Sequence, residues 1–317
     1  MKNYDLSILI PARNEMFLKD TVEDILENKE GNTEIIVGLD ESWADPQIDD
    51  HPDLILVHTG QIYGQRGMTN QLCKLSRAKY VAKCDAHCAF DKGFDVKLMS
   101  KMQDNWTVVP VMRNLWAFDW ECQKCHYKTY QGKTPVSCPK CDNTTDFKRE
   151  KVWIGKSNPQ SFSYCFDSEP HFQYFKEYRD RPEYKEQLKT GITDSMSLQG
   201  SFFMLTRDKY WELNICDESF GSWGSQGLEV AIKTWLSGGR VVCNHDTWYA
   251  HMFRTQGGDF SFPYRQKESK IQEAKALAKD IFFNNRWERA IHPLSWLVER
   301  FSPVPGWTEE DINKLKQ

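Results

Sequence analysis

The chain has 317 residues, enough for two average domains or for one large α/β domain with an insertion. Its 40% hydrophobic, 13% aromatic and 27% charged content excludes a disordered or collagen-like chain, and no apolar run approaches the roughly 18 residues of a transmembrane helix. Forty-one basic against 45 acidic side chains leave a net charge of −4, which excludes a globally basic nucleic-acid binder but not a local basic patch.

Up to about residue 110, short apolar runs alternate with helical patterns, as in βαβ units on a mostly parallel sheet. Strands are predicted at Leu6–Ile10, Glu34–Leu39, Leu54–His58, Tyr80–Cys84 and Val108–Val111, with helices over Phe17–Glu27, Arg66–Ala78 and Gly93–Gln103. The chain enters its first strand without a leader-like pattern, so a cytoplasmic protein is expected. From Asn114 to Lys151 the helical period vanishes, and the stretch reads as an inserted module. Regular pattern returns in a strand within Ser197–Thr206, a helix over Gly227–Leu236, and short strands at Arg240–Cys243 and Trp248–His251. An amphipathic segment follows over Arg265–Phe283, and the proline-containing tail after His292 is expected to be irregular. The predicted organisation is therefore 1–113, an insertion at 114–151, a second half at 152–264 and a C-terminal helix and tail at 265–317.

Four of the ten cysteines form a spaced set: Cys122 and Cys125, twelve residues, then Cys138 and Cys141. Two such knuckles can converge four thiolates on one tetrahedral ion, for which zinc is the natural choice. A closed four-sulfur site has no open position, so its expected role is structural. The other six cysteines are scattered singly, which fits reduced thiols better than a disulfide framework. Between Glu121 and Lys151 seven bases face four acids, so the module carries about +3 on an otherwise acidic chain.

Asp85-Ala-His87 closes the predicted strand Tyr80–Cys84. At the carboxyl end of a strand in an open α/β sheet, a carboxylate and an imidazole can turn together into the ligand crevice. That pair suits a divalent ion bridging phosphate oxygens.

Further motifs follow in order: Leu6-Ser-Ile-Leu-Ile-Pro-Ala-Arg-Asn-Glu15, Ile35-Ile-Val-Gly-Leu-Asp40-Glu-Ser, Gly64-Gln-Arg66-Gly with Asn70, Gly200-Ser-Phe-Phe-Met-Leu-Thr, Phe220-Gly-Ser-Trp223-Gly224-Ser-Gln226-Gly-Leu-Glu229, and Tyr249-Ala-His251-Met-Phe-Arg254. With Asp85 and His87 this series resembles the nucleotide-diphospho-sugar glycosyltransferases of the GT-A fold, most closely the family 2 enzymes and the polypeptide N-acetylgalactosaminyltransferases. The resemblance implies an α/β, Rossmann-like fold with a mostly parallel central sheet, a UDP-sugar donor and a Mn2+ or Mg2+ cofactor. It implies that Asp85, His87 and His251 hold the metal. Pro11, Ala12, Glu15 and Asp40 would line the nucleotide side, Arg66 would reach the pyrophosphate or hold the adjoining loop, and Trp223 and Gly224 would floor the donor sugar.

Gln226 stands where the inverting family 2 enzymes carry a catalytic carboxylate, and an amide cannot take a proton. Glu229, one helical turn on, is the alternative base. Otherwise the reaction retains configuration and the leaving phosphate takes the acceptor proton, which the likeness to the N-acetylgalactosaminyl enzymes favours. The acceptor is expected to be macromolecular. A similarity to compact bacteriophage transferases, together with the basic module, puts hydroxymethylpyrimidine in DNA first, ahead of a protein hydroxyl or a glycan precursor. A basic face reaching Lys267–Lys279 would favour DNA, and an acidic, aromatic groove would favour peptide or sugar. A non-catalytic binding module on a decayed transferase fold is the remaining alternative.

Overall fold

The computed structural model describes residues 3–222, 224–260, 262 and 268–316. The first part alternates as the hydrophobic pattern predicts: β1 (Leu6–Ala12), α1 (Leu18–Asn28), β2 (Thr33–Asp40), β3 (Leu54–Thr59), α2 (Gly64–Leu75), β4 (Tyr80–Cys84), β5 (Cys88–Phe90) and α3 (Phe94–Ser100). Strands β1 to β4 run parallel, with β1 between β2 and β4 and β3 at the edge. Every residue of β1 and β2 is buried because helices cover both faces, so these strands read as continuous apolar runs. Alternate residues feed separate cores: Leu9 and Ile36 pack with Met68 and Leu72 of α2, while Ile8, Ile10 and Val37 pack with Val22 and Ile25 of α1.

The next elements are β6 (Trp106–Cys122), β7 (Lys128–Tyr130), β8 (Phe147–Ser161), β9 (Tyr164–Phe166), β10 (Phe172–Tyr174), α4 (Pro182–Leu188) and β11 (Ile192–Asp194). They are followed by β12 (Phe202–Thr206), α5 (Arg207–Glu212), α6 (Gln226–Leu236), β13 (Arg240–His251), α7 (Arg254–Gly257), α8 (Glu268–Ala278), α9 (Leu294–Arg300) and α10 (Glu309–Lys314). The main sheet runs β11-β13-β6-β12-β4-β1-β2-β3, with β12 antiparallel to both its neighbours.

Three expectations need correcting. The strand predicted at Val108–Val111 is 17 residues long and runs through to Cys122. Its outer half pairs with β8, so the cysteine-rich stretch caps a long hairpin and is not irregular from Asn114 onward. The extension has its own apolar face, in which Leu115, Phe118 and Trp120 pack with Phe17, Met252 and Phe260. The two short strands at 240–251 are one strand, β13, with a register shift between Asn244 and Trp248. The tail is not irregular, since α9 lies between Pro293 and Pro303 and α10 follows Pro305, Pro293 caps the start of α9, and Leu294, Leu297 and Val298 are fully buried. The predicted segment Arg265–Phe283 is α8 plus a π turn, with residues 265–267 outside the described ones.

Candidate active site

Asp85 is the first residue beyond β4, at the carboxyl edge of the parallel strands, and its N–H donates to Ser201 O at 2.8 Å. The chain then reverses into β5, which pairs with the end of β13 in a register that sets His251 opposite Cys88. A residue 166 positions away is thereby brought beside Asp85 and His87. Asp85 Oδ2 lies 3.3 Å from His251 Nε2 and 3.8 Å from His87 Nε2, and one ligand atom from each residue falls within 4.8 Å of the others.

The other carboxylate oxygen of Asp85 is occupied by the Lys83 ammonium and by Gln65 Nε2 at 3.2 Å. Lys83 is buried and also donates to Gly200 O at 2.8 Å. Burial opposes ionisation of Asp85, but Lys83 and the two imidazoles outweigh it and hold the carboxyl well below the usual range. Burial pushes His251 down to about 4, so its imidazole is neutral with a lone pair to offer. Both ring nitrogens of His251 are buried without a directed hydrogen bond among the described residues. Buried polar atoms are nearly always satisfied, so an Nε2 that faces Asp85 Oδ2 at 3.3 Å without bonding it fits a divalent cation between the two.

Around the triad, Glu15 bridges His87 Nδ1 at 3.3 Å and Arg254 at 2.6 Å. The Phe260 ring stands edge-on to His87 at 5.0 Å, and the Arg254 guanidinium lies 3.9 Å from its centroid. These groups border a pocket of about 560 Å³, of the size that holds a small ligand. Its walls include Pro11, Gly200 and the loop Gly224–Gln226 that opens α6. Gly224 has φ +100° and Ser225 takes the left-handed conformation, so the loop presents backbone to the cavity. Gln226 donates to Cys216 Sγ at 3.2 Å, and its buried Oε1 has no partner among the described residues.

Several expected site residues stand elsewhere. Glu229 is fully buried and does not line the pocket. Its carboxylate accepts from Arg66 Nε at 3.1 Å, Lys233 at 2.7 Å and the Asp217 N–H at 3.2 Å, which ties it into the fold away from the pocket. Arg66 is also sealed in and donates to Gly221 O at 3.0 Å and Gly224 O at 2.6 Å; it holds the loop and does not face the pocket. Asp40 is buried behind α2, accepting the N–H groups of Tyr63 at 2.8 Å and Gly64 at 2.9 Å, and Ala12 likewise is off the pocket wall. Trp223 lies outside the described residues.

Sequence reasoning missed Lys83, Gln65, Phe260 and the turn Pro170–Phe172, all of which touch the site or border its cavity. Lys83 had a signal, a lysine inside an otherwise buried strand. The others had none, since only the tertiary fold brings them there.

At the hairpin tip the four cysteines converge, with Cys122 Sγ 3.6 Å from Cys141 Sγ and Cys125 Sγ 3.6 Å from Cys138 Sγ. A tetrahedron of Zn–S bonds of about 2.3 Å has sulfur–sulfur edges of about 3.8 Å, whereas a disulfide spans about 2.05 Å. His126 and Asp142, just after the second cysteine of each knuckle, take φ of 59° and 53° and let each turn fold back on itself. Against its burial, the Lys124 N–H and the Asn143 amide pull the Cys122 thiol down, while, against the Tyr127 N–H, burial and the neighbouring thiols push Cys125 up, as four sulfurs that share protons do. The donor set therefore fits zinc.

The sheet order, with the triad at the carboxyl edge of its parallel strands and the pocket beside the loop that opens α6, is that of a GT-A fold. Residues 7–127 match the family described as Glycosyl transferase family 2. A provisionally named polypeptide N-acetylgalactosaminyltransferase 13 of Drosophila melanogaster is 22% identical over 267 residues, covering 74% of this chain and 41% of its own. Polypeptide N-acetylgalactosaminyltransferase 3 of the same organism is 22% identical over 200 residues, 59% of this chain and 24% of its own. The chain thus spans less than half the length of these curated relatives. The crystal structure of GalNAc-T7 with UDP, GalNAc and Mn2+ superposes with a TM-score of 0.62 at 15% identity, covering 99% of this chain and 54% of that one. No helix among the described residues is long and apolar enough to cross a membrane.

Proposed function

We propose that the protein is a metal-dependent transferase that moves a sugar from a UDP-sugar to an acceptor hydroxyl. The carrying observation is the Asp85–His87–His251 triad, with His251 Nε2 facing Asp85 Oδ2 at 3.3 Å, opening on a pocket of about 560 Å³. A likeness to a structure that holds UDP and Mn2+ supports the donor and the ion. In the reaction the bond from the anomeric carbon to the diphosphate oxygen breaks, a bond to the acceptor oxygen forms, and the acceptor proton must leave. A divalent ion bound by the triad supplies Lewis-acid neutralisation of the departing diphosphate.

The protein groups divide the rest of the work. Lys83 and Gln65 fix one Asp85 oxygen and leave Oδ2 for the ion, while Glu15 orients His87 through Nδ1. The Gly200 and Gly224 backbones border the pocket without side chains, which allows close approach of the donor. Gln226 is an amide, Glu229 is sealed, and Glu15 is tied to Arg254 and His87, so among the described residues that line the pocket no carboxylate outside the metal triad is free to take a proton. Retention, with the departing diphosphate receiving the acceptor proton, is the stereochemistry this supports. The four cysteines hold a structural zinc ion in this reading.

For the acceptor, the outer pocket wall includes Pro170, His171, Phe172, Ile271 and a single lysine, Lys275. Several lysines of the cysteine module are engaged with acids: Lys128 with Glu121, Lys148 with Glu150, and Lys151 with Asp20 and Glu23. Lys267 lies outside the described residues. An aromatic wall with no continuous basic face among the described residues supports a peptide or glycan hydroxyl ahead of DNA. The test is nucleotide release from a panel of UDP-sugars with and without Mn2+, followed by acceptor screening with the donor that reacts. Metal-dependent release from one donor is the expected result. A folded, metal-loaded protein that neither binds nor cleaves any donor contradicts the proposal.

A further inference from the structure

The cysteine module and the pocket meet at a contact that extends beyond the chemistry just proposed. Gln131, after β7, is buried; its Oε1 accepts the Ala117 N–H at 2.7 Å and its Nε2 donates to Leu115 O at 2.9 Å. Trp120 Nε1 donates to Gly132 O at 3.1 Å, so this loop of the module is pinned to β6. Its other side meets the chain that follows His251. Thr134 N–H donates to Asp259 Oδ2 at 3.3 Å, and the Thr134 hydroxyl donates to the same oxygen. A Cβ on Gly258, where φ is +63°, would sit 2.1 Å from Lys133 N and 2.3 Å from Gly132 C, so two backbones touch there and glycine is required. The next residue but one is Phe260, buried against His87 and Phe17 and carrying Arg254 on its face.

We propose that the four-cysteine module is a positioning element for the metal–nucleotide site. By gripping Gly258 and Asp259 it seats Phe260 and Arg254 against His87 and Glu15, so ion occupancy in the module controls affinity at the triad. Coupling between two sites is reciprocal in affinity, so Mn2+–UDP tightens zinc in the module, read as slower release to a chelator. The inference rests on the transferase reading, and Asp259 is neither in the pocket lining nor a ligand of either proposed metal.

The experiment measures Mn2+–UDP affinity by calorimetry, and the rate of zinc release to a chelator with and without Mn2+–UDP. The proteins are wild type, Asp259→Ala, Asp259→Asn and Cys138→Ser. The Asp259→Ala variant should bind Mn2+–UDP about 5- to 50-fold more weakly, within the usual range of site coupling, with zinc content and melting temperature unchanged. Asp259→Asn keeps an acceptor oxygen for Thr134 and should bind like wild type. Cys138→Ser should lose zinc and weaken binding at least as much, and Mn2+–UDP should slow zinc release in wild type but not in Asp259→Ala. Wild-type affinity in both Asp259→Ala and Cys138→Ser, or zinc release indifferent to Mn2+–UDP, overturns the coupling alone. Failure of wild type to bind Mn2+–UDP overturns the transferase reading on which it rests.

Discussion

Two carboxylates, Asp85 lining the pocket and Glu229 sealed in the core, differ in how completely they are satisfied. Glu229 is enclosed by two cations and a backbone N–H, and Lys233 is in turn shared with Asn214 O at 2.7 Å. Every charge in that knot has a partner, so it is a fastening that holds Gly221 and Gly224 through Arg66. Asp85 has one oxygen fastened in the same way, by Lys83, and the other turned to two imidazoles, of which His251 makes no directed hydrogen bond among the described residues. An unsatisfied neighbour is what marks the reactive acid here.

Glu229→Ala leaves Arg66 buried without an anionic partner and Lys233 with Asp217 alone at 3.5 Å, with an expected loss of about 3–5 kcal/mol in urea unfolding. His251→Ala removes a side chain with no directed hydrogen bond; turnover should fall at least ~100-fold (~2.7 kcal/mol) while the melting temperature holds. Asp85→Asn is the matching carboxylate variant, because Asp85→Ala would strand the buried Lys83 ammonium and confuse folding with function. Gly227→Ala tests the loop itself: a Cβ there lies 2.0 Å from Leu198 O, and the overpacking should cost about 1–3 kcal/mol by the same unfolding assay.

The smallest effect is one of pH, at His245, another sealed group. Burial lowers this imidazole to about 4, beneath Thr193 and Tyr184. Because the folded value is below the unfolded one of about 6.5, the unfolded chain binds the proton more readily. Its contribution to stability is complete above pH 6.5 and is lost as pH falls toward 4, by about 1–2 kcal/mol between pH 6.5 and 5. Replacement by glutamine should flatten that part of the stability profile.

Much of this was legible in the sequence because it is written in local pattern. The parallel half follows from apolar runs punctuated by helical periods, and β4 ends at Cys84 as the apolar run does. The four cysteines are equally local, since their spacing alone prescribes convergence. What was not legible depends on contacts between distant residues. Glu229 and Arg66 are 163 positions apart, and nothing near either states that they neutralise each other. The outer half of β6 was missed because lysines and cysteines at the hairpin tip obscured the alternation of Leu115, Ala117, Trp120 and Cys122. The tail was taken as irregular because prolines punctuate it, yet they bound its helices and leave Leu297 and Val298 to fill the core.

The most direct test of the account is a Mn2+ electron paramagnetic resonance titration in the presence of UDP, run on wild type, Asp85→Asn and His251→Ala. A protein-bound Mn2+ signal that appears with UDP in wild type and is lost in both variants, each with native melting behaviour, is the predicted result. An equal bound signal in all three would place the metal–nucleotide site elsewhere and contradict the assignment of the triad.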